Sequence, residues 1–192
     1  MKIGILAAQG AFIEHFVVLR QLGVEATLVR LPEEFKGLDG LIIPGGESTT
    51  ITRLMLEYDL VDAIKKHAKK GMAIFGTCAG MILLATEILD GNKVTPLGLM
   101  DIKVKRNAFG RQVDSFETDL AIPALGKKPF HAVFIRAPVI EQVNGKVEIL
   151  AKLEDGTPVA CRQGKFLASA FHPELTEDPR FHKYFMSIVD GK

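Results

Sequence analysis

A cysteine stands at the centre of "FGTCAGM" (residues 75–81), with a small residue on each side and a glycine beyond each of those. Met72 to Phe75 before it is an apolar, strand-like run, and Met81 to Ala85 after it is apolar and helix-like. A strand that turns at once into a helix holds the residue at the corner in a strained, projecting conformation, and only small neighbours leave room for the turn. Cys78 at such a corner rises above the carboxyl edge of a sheet. The N-terminus of the following helix favours its anion, and the backbone N–H of Ala79 points to where an oxyanion forms. The chemistry is nucleophilic attack on a carbonyl carbon. Taken alone, the pattern also fits a small buried cysteine at a strand–helix junction.

A thiol nucleophile needs a base, and the chain has five histidines. His15 and His67 fall on predicted helices among polar residues and read as surface groups, as does His182 on the terminal helix. His131 opens an apolar strand, where a histidine is more often structural. His172 is different, because it lies in "SAFHPELTED" at a strand end, followed by Pro173 and Glu174. Proline pushes its predecessor into an extended conformation. Residues 172 and 174 are then expected on the same side, as i and i+2 are in a strand. Glu174 can accept from one ring nitrogen while the other faces the thiol, the orienting role of a triad acid. Alone, such a His-Pro-Glu is a chance strand-end loop.

A third segment, "PGGEST" (44–49), places two glycines between a strand and a helix, where a backbone N–H can approach a substrate closely. No lysine follows the glycines in the order of a nucleotide-phosphate loop, and Gly4 to Gly10 does not match a dinucleotide fingerprint. The segment by itself says only that an anion or a carbonyl could sit near a helix start.

The elements around these segments alternate. Lys2 to Ala8 reads as a strand, and Phe12, Phe16, Leu19 and Leu22 recur at helical spacing up to Gly23. Val24 to Val29 and Gly40 to Ile43 are strands, helices follow from Ser48 or a neighbour towards Tyr58 and from Leu60 to Lys69, and Ala79 to Ile88 is the helix after the cysteine. Short buried strands alternating with helices give an α/β fold: three layers, a mostly parallel central sheet with helices on both faces. The alternating segments Ile102 to Lys105, Lys146 to Leu150 and Val159 to Arg162 read as antiparallel additions, with a hairpin turning at Gln163-Gly164. Pro179 to Val189 closes the chain as a helix. There is no repeat and no linker, so residues 1–192 are expected to form one domain.

Composition narrows the function classes. With 47% hydrophobic and 24% charged residues and a formal net charge of +1, nothing draws the chain to nucleic acid or an anionic membrane. Two cysteines make neither a disulfide framework nor a metal-ligand spacing; Cys161, in the predicted hairpin, reads as core packing. The longest apolar run, residues 71–85, is interrupted by Thr77 and two glycines and falls short of the roughly 20 residues of a membrane span. The start of the chain reads as a first strand rather than a signal peptide, and a cytoplasmic location is expected.

Together the three segments are far more specific than apart. The chain resembles the class I, triad-type glutamine amidotransferases, and within them the glutaminase subunits of pyridoxal 5′-phosphate synthases. The resemblance rests on "QGAFIEH" (9–15), "DGLIIPGGESTT" (39–50), "FGTCAGM" (75–81), "RNAFGRQVDSFE" (106–117), "FIRAP" (134–138) and "FHPELTED" (171–178). It implies a flavodoxin-like fold, hydrolysis of L-glutamine by Cys78, His172 and Glu174, and an oxyanion hole from Gly46 and Ala79. Substrate contacts are implied at Gly46, Glu47, Ser48, Arg106, Ile135 and Arg136. An always-charged guanidinium at Arg106 suits an α-carboxylate, although without the family it would read as a surface arginine. Neither metal nor cofactor is implied. The implied partner is a (β/α)8-barrel synthase subunit with a dodecameric core, which receives the ammonia for vitamin B6 synthesis and switches the glutaminase on. Gln9, Gly10 and Gly45 are the candidate switch. Competing readings are a glutaminase subunit of another synthase such as the imidazole glycerol phosphate enzyme, a related flavodoxin-like cysteine hydrolase or stress protein, and a non-catalytic scaffold.

Overall fold

Five strands whose sequences are almost entirely apolar need cover on both faces, and they run side by side in parallel. The computed structural model describes residues 1–90, 93–106 and 115–191. In it β1 (Lys2–Leu6), β2 (Glu25–Val29), β3 (Gly40–Ile43), β4 (Ala73–Thr77) and β12 (Phe166–Ser169) are the parallel part of a seven-stranded sheet. β11 (Pro158–Gln163) and β10 (Glu148–Lys152) extend it antiparallel, in the order β10-β11-β12-β4-β3-β1-β2. Right-handed crossovers put α1 (Phe12–Gln21), which joins β1 to β2, on one face, and the β3–β4 connection, α2 (Ser48–Glu57) with α3 (Leu60–Lys69), on the other. α5 (Arg180–Val189) returns to the face of α1, where Phe181, Phe185 and Ile188 enter the core at helical spacing. α4 (Ala79–Leu84), buried along its whole length, packs against α2, β3, β4 and β12.

The expected three layers with antiparallel additions are therefore present, and two local expectations change. The helix after the cysteine ends at Leu84, and Ala85–Ile88 is a strand, β5, paired in parallel with β6 (Met100–Lys105). Its Thr86 hydroxyl donates to the carbonyl of Ile102 at 3.0 Å. Strand pairing supplied by distant residues outweighs the local helical pattern. Nor does β6 join the main sheet: it forms a three-stranded sheet with β5 and β9 (Val139–Val143), while β7 (Ser115–Leu120) and β8 (Phe130–Ile135) make a separate antiparallel pair. Most of "RNAFGRQVDSFE" (107–114) lies outside the described residues.

Because β1, β3, β4 and β12 are neighbours and parallel, the segments that follow them emerge at one edge. These are Gln9-Gly10, Gly45 to Ser48, Cys78 and His172, all from the sequence segments singled out above. The carboxyl edge of a parallel sheet is where such folds bind ligands.

Candidate active site

Cys78 has φ 48° and ψ −103°, a backbone conformation that costs a residue with a side chain about 1–3 kcal/mol. The surroundings hold it there. Its N–H donates to Ser169 O at 2.8 Å and its carbonyl accepts from Ile82 N–H at 3.2 Å. The two flanking glycines are required by close approach: a Cβ on Gly76 would lie 2.5 Å from the Gly80 backbone, and one on Gly80 would lie 2.0 Å from Ile43 O. Strand, corner and helix thus cross where no side chain fits. Ala79 is the first residue of α4, so its N–H has no acceptor within the helix.

His172 and Glu174 meet, by a different route from the expected alternation. Residues Pro173–Leu175 form a single 3-10 turn with His172 at its N-cap, kept out of the helical region by its proline but not fully extended (φ −106°, ψ 86°). The turn folds the carboxylate back so that Glu174 Oε1 lies 2.6 Å from His172 Nδ1. The other ring nitrogen is left for Cys78. Burial alone would push the imidazole down; hydrogen bonds to Cys78 and Glu174, and their negative charge, outweigh it and raise His172 to about 10. For buried Glu174 the balance is similar. Burial disfavours its anion, but the neighbouring imidazoles of His15 and His172 and the His172 hydrogen bond hold its carboxyl below the ordinary range.

The loop after β3 closes against the loop after β1. Gly45 N–H donates to Thr77 Oγ1 at 2.9 Å, Gly45 O accepts from Ala11 N–H at 3.0 Å, and Gln9 Oε1 accepts from Glu47 N–H at 2.7 Å. Since the Gly45–Gly46 peptide is trans, its N–H points away from Ala11. Gly10, at φ 101°, sits so close to Gly45 that a Cβ would fall 1.8 Å from Gly45 O. A cavity of about 260 Å³ opens above the thiol, lined by Gln9, Gly46, Glu47, Ser48, Arg106 and Ile135, with Arg136 and Ile82 completing the wall. Cys78 Sγ lies 3.9 Å from Ile135 O. Arg106 reaches Ser48 Oγ at 3.4 Å and is tethered by Asp90, which accepts from its N–H at 2.9 Å. Arg136 follows at φ 42°, a second strained residue at the rim. Of the residues named from sequence for this site, all line the cavity except Gly10, Gly45, Ala79 and Glu174, which adjoin lining residues in the chain or by hydrogen bond. Glu47 has a further duty: its carboxylate caps α2, accepting from Thr49 and Thr50 N–H.

This edge geometry has counterparts. The sequence profile of the SNO glutamine amidotransferase family matches residues 5–190. The chain belongs to that family. A Herpetosiphon aurantiacus protein named pyridoxal 5′-phosphate synthase subunit PdxT is 60% identical over 190 residues, covering 98% of this chain and 100% of that one. A solved crystal structure of a glutamine amidotransferase is 52% identical with a TM-score of 0.93, covering 98% of each chain. The PurLQS structure from Thermotoga maritima shares the fold alone, at 17% identity and a TM-score of 0.69, covering 99% of this chain and 98% of that one.

Within this family member the sequence reading of the histidines needs correction. His15 and His182 are fully buried rather than at the surface. His15 occupies the inner face of α1 with Leu19, because it falls at the i+3 position from Phe12 and the i−4 position from Leu19; the period that marked the helix also marked this residue. His67 is half-buried against Phe35. His131 faces outward on β8 between Asp119 and Glu117, each 2.9 Å away. Thr77 and Asp90, which hold the site's backbone and Arg106, had no sequence signal. Cys161 is fully buried, and burial pushes its thiol up to about 12, so it is no competing nucleophile.

Proposed function

We propose that residues 1–192 form one glutaminase domain that hydrolyses L-glutamine to L-glutamate and ammonia for pyridoxal 5′-phosphate synthesis. One observation carries the chemistry: a cysteine at a strained strand–helix corner lines one cavity with an imidazole whose Nδ1 is 2.6 Å from a buried carboxylate. His172 takes the thiol proton as Cys78 Sγ attacks the side-chain amide carbon of glutamine, and the N–H groups of Gly46 and Ala79 receive the oxyanion. As the C–N bond breaks, His172 gives its proton to the departing nitrogen, with Glu174 fixing the ring. A glutamyl thioester remains; water, deprotonated by His172, attacks it, the C–S bond breaks, and glutamate leaves with the thiol restored. Arg106 and Ser48 suit the α-carboxylate, and Glu47, Ile135 O and the Arg136 turn line the remaining wall.

The relatives' names support a partner synthase subunit, and the family resemblance supports a (β/α)8-barrel for it, with a dodecameric core. The Gly10–Gly45 contact supports the switch: peptides of Gln9, Gly10 and Gly45 can reorient at small steric cost, so docking could set the oxyanion hole. Among the described residues no helix is long and apolar enough to cross a membrane, and both cysteines are free; we infer a cytoplasmic protein. The test is glutamate release by the chain on its own and with the synthase component of a pyridoxal 5′-phosphate synthase, alongside Cys78→Ala. Activity that vanishes in Cys78→Ala and depends on the synthase component is expected. Activity retained by Cys78→Ala refutes the triad, and full activity of the chain on its own refutes the switch.

A further inference from the structure

Behind the triad lies a buried polar column that the reaction steps above leave unused. His15 of α1 and His182 of α5 are both fully buried, with His15 Nδ1 2.9 Å from His182 Nε2. His15 Nε2 lies 3.4 Å from Glu174 Oε2 and 3.2 Å from Thr77 Oγ1. Glu174 uses Oε1 for His172, so it is the second carboxylate oxygen that stands against His15. Thr77 Oγ1 also accepts the N–H of Gly45, the residue before the proposed oxyanion donor.

The protons of this column can be assigned by elimination. A ring lone pair facing a buried carboxylate oxygen would be repulsive, so His15 Nε2 carries its proton, bonds Thr77 Oγ1 and turns its positive edge towards Glu174 Oε2. His15 Nδ1 is then an acceptor, and His182 Nε2–H is its donor. Two buried atoms of the column have no hydrogen-bond partner among the described residues: Glu174 Oε2, which His15 Nε2 approaches to 3.4 Å, and the lone pair of His182 Nδ1. A buried lone pair is less costly to leave unmatched than a buried N–H. Burial lowers both histidines, His182 to about 3, the direction that the neutral assignment needs. An apolar side chain at position 15 would pack well against Phe75, whose ring it meets edge-on at 6.1 Å. It would remove the polar group that faces Glu174 Oε2 and the bond to Thr77.

We propose that His15 is a positioning residue for glutamine hydrolysis: by standing with Nε2 3.4 Å from Glu174 Oε2 and bonding Thr77, which Gly45 shares, it holds the triad acid and the oxyanion loop in one arrangement. This rests on the assignment of Cys78, His172 and Glu174 as the triad. The titratable and charged groups facing the column are Glu14 and His15 from α1, Cys78 from the corner, His172 and Glu174 from the closing turn, and His182 from α5. Without the His15 donor the Glu174 anion is less stabilised, so it supports the His172 imidazolium less. His172 then loses its proton at lower pH, and the alkaline limb of activity moves down.

The test is glutamate release by the complex with its synthase component, from neutral to strongly alkaline pH, for the parent, His15→Leu, His15→Gln and Cys78→Ala. Circular dichroism and thermal unfolding accompany each variant. His15→Leu keeps the volume and removes the polar edge; it is expected to lower kcat about 10- to 100-fold with little change in KM, the effect of losing the Thr77 hydrogen bond together with one contact to a charged group. Its alkaline limb is expected to fall by about one pH unit. His15→Gln, whose amide N–H can reach the same oxygen, restores much of both. A folded His15→Leu with parental kcat and pH profile overturns the proposal. So does a loss of activity with the limb unmoved and no rescue by Gln, or failure of both variants to fold, since each marks a packing role. An active Cys78→Ala instead overturns the triad, and this proposal with it.

Discussion

Gly45→Ala tests the placement of the base without touching a catalytic side chain. Gly45 lies outside the left-handed region, so alanine is tolerated by its backbone. The added methyl group would nevertheless stand 2.3 Å from His172 Cε1 and 3.0 Å from Nδ1, with Cys78 Cβ at 3.3 Å. Ordinary contact begins at 3.4 Å, so the ring must retreat by about 1.1 Å, the difference between 3.4 and 2.3 Å. That displacement opens the 2.6 Å bond to Glu174 or the contact with Cys78, and either change removes the base from line. A misplacement of about 1 Å costs roughly 100-fold in rate, while overpacking of this size costs about 1–3 kcal/mol of stability. Glutamate release with the synthase component, measured beside thermal unfolding, should therefore report a folded protein with kcat reduced about 100-fold. A variant that unfolds normally and turns over like the parent would refute the position of His172 over Cys78.

Two further outcomes follow from the same contacts. Gly80→Ala gains about 1 kcal/mol of helix propensity, yet its Cβ would sit 2.0 Å from the Ile43 carbonyl, a backbone atom that cannot swing away. A net loss of about 3 kcal/mol and a Tm lower by roughly 10 °C are expected in calorimetry, and a stabilised variant would refute the close approach. Glu47 is lowered from 4.5 to about 2: burial opposes the shift, and the hydrogen bonds from Thr49 and Thr50 outweigh it. Because the folded value is the depressed one, the parent's stability advantage over Glu47→Gln is full above pH 4.5 and lost as pH falls towards 2. Urea midpoints compared through that acid window check this, and a gap that does not narrow refutes the capping role.

Much of this was legible in the chain. Alternating apolar runs and helical periods gave the parallel sheet, because strands buried on both faces can hardly be written otherwise. The glycines around Cys78 announced a corner, since only their absent side chains let α4 cross β3 and β4. What misled the reading was competition between local and distant partners. Ala85 to Ile88 continues a helical pattern, but it is a strand because β6 lies beside it. His15 and His182 sit among polar neighbours in the chain and are buried because α1 and α5 fold onto the same face.

The sequence by itself determined the reacting groups: a thiol at a strained corner, an imidazole before a proline, a carboxylate two residues on, and glycines that allow backbone to approach them. It determined the alternation of strands and helices that carries them to one edge. Only the tertiary structure decided how they meet. The order β1-β3-β4-β12 brings segments separated by more than a hundred residues into one cavity. The 3-10 turn, not strand alternation, closes Glu174 on His172. The pairing of His15 with Glu174 depends on two elements from opposite ends of the chain. Proximity of that kind has no local signature, because it is set by strand order and helix packing rather than by the spacing of residues along the backbone.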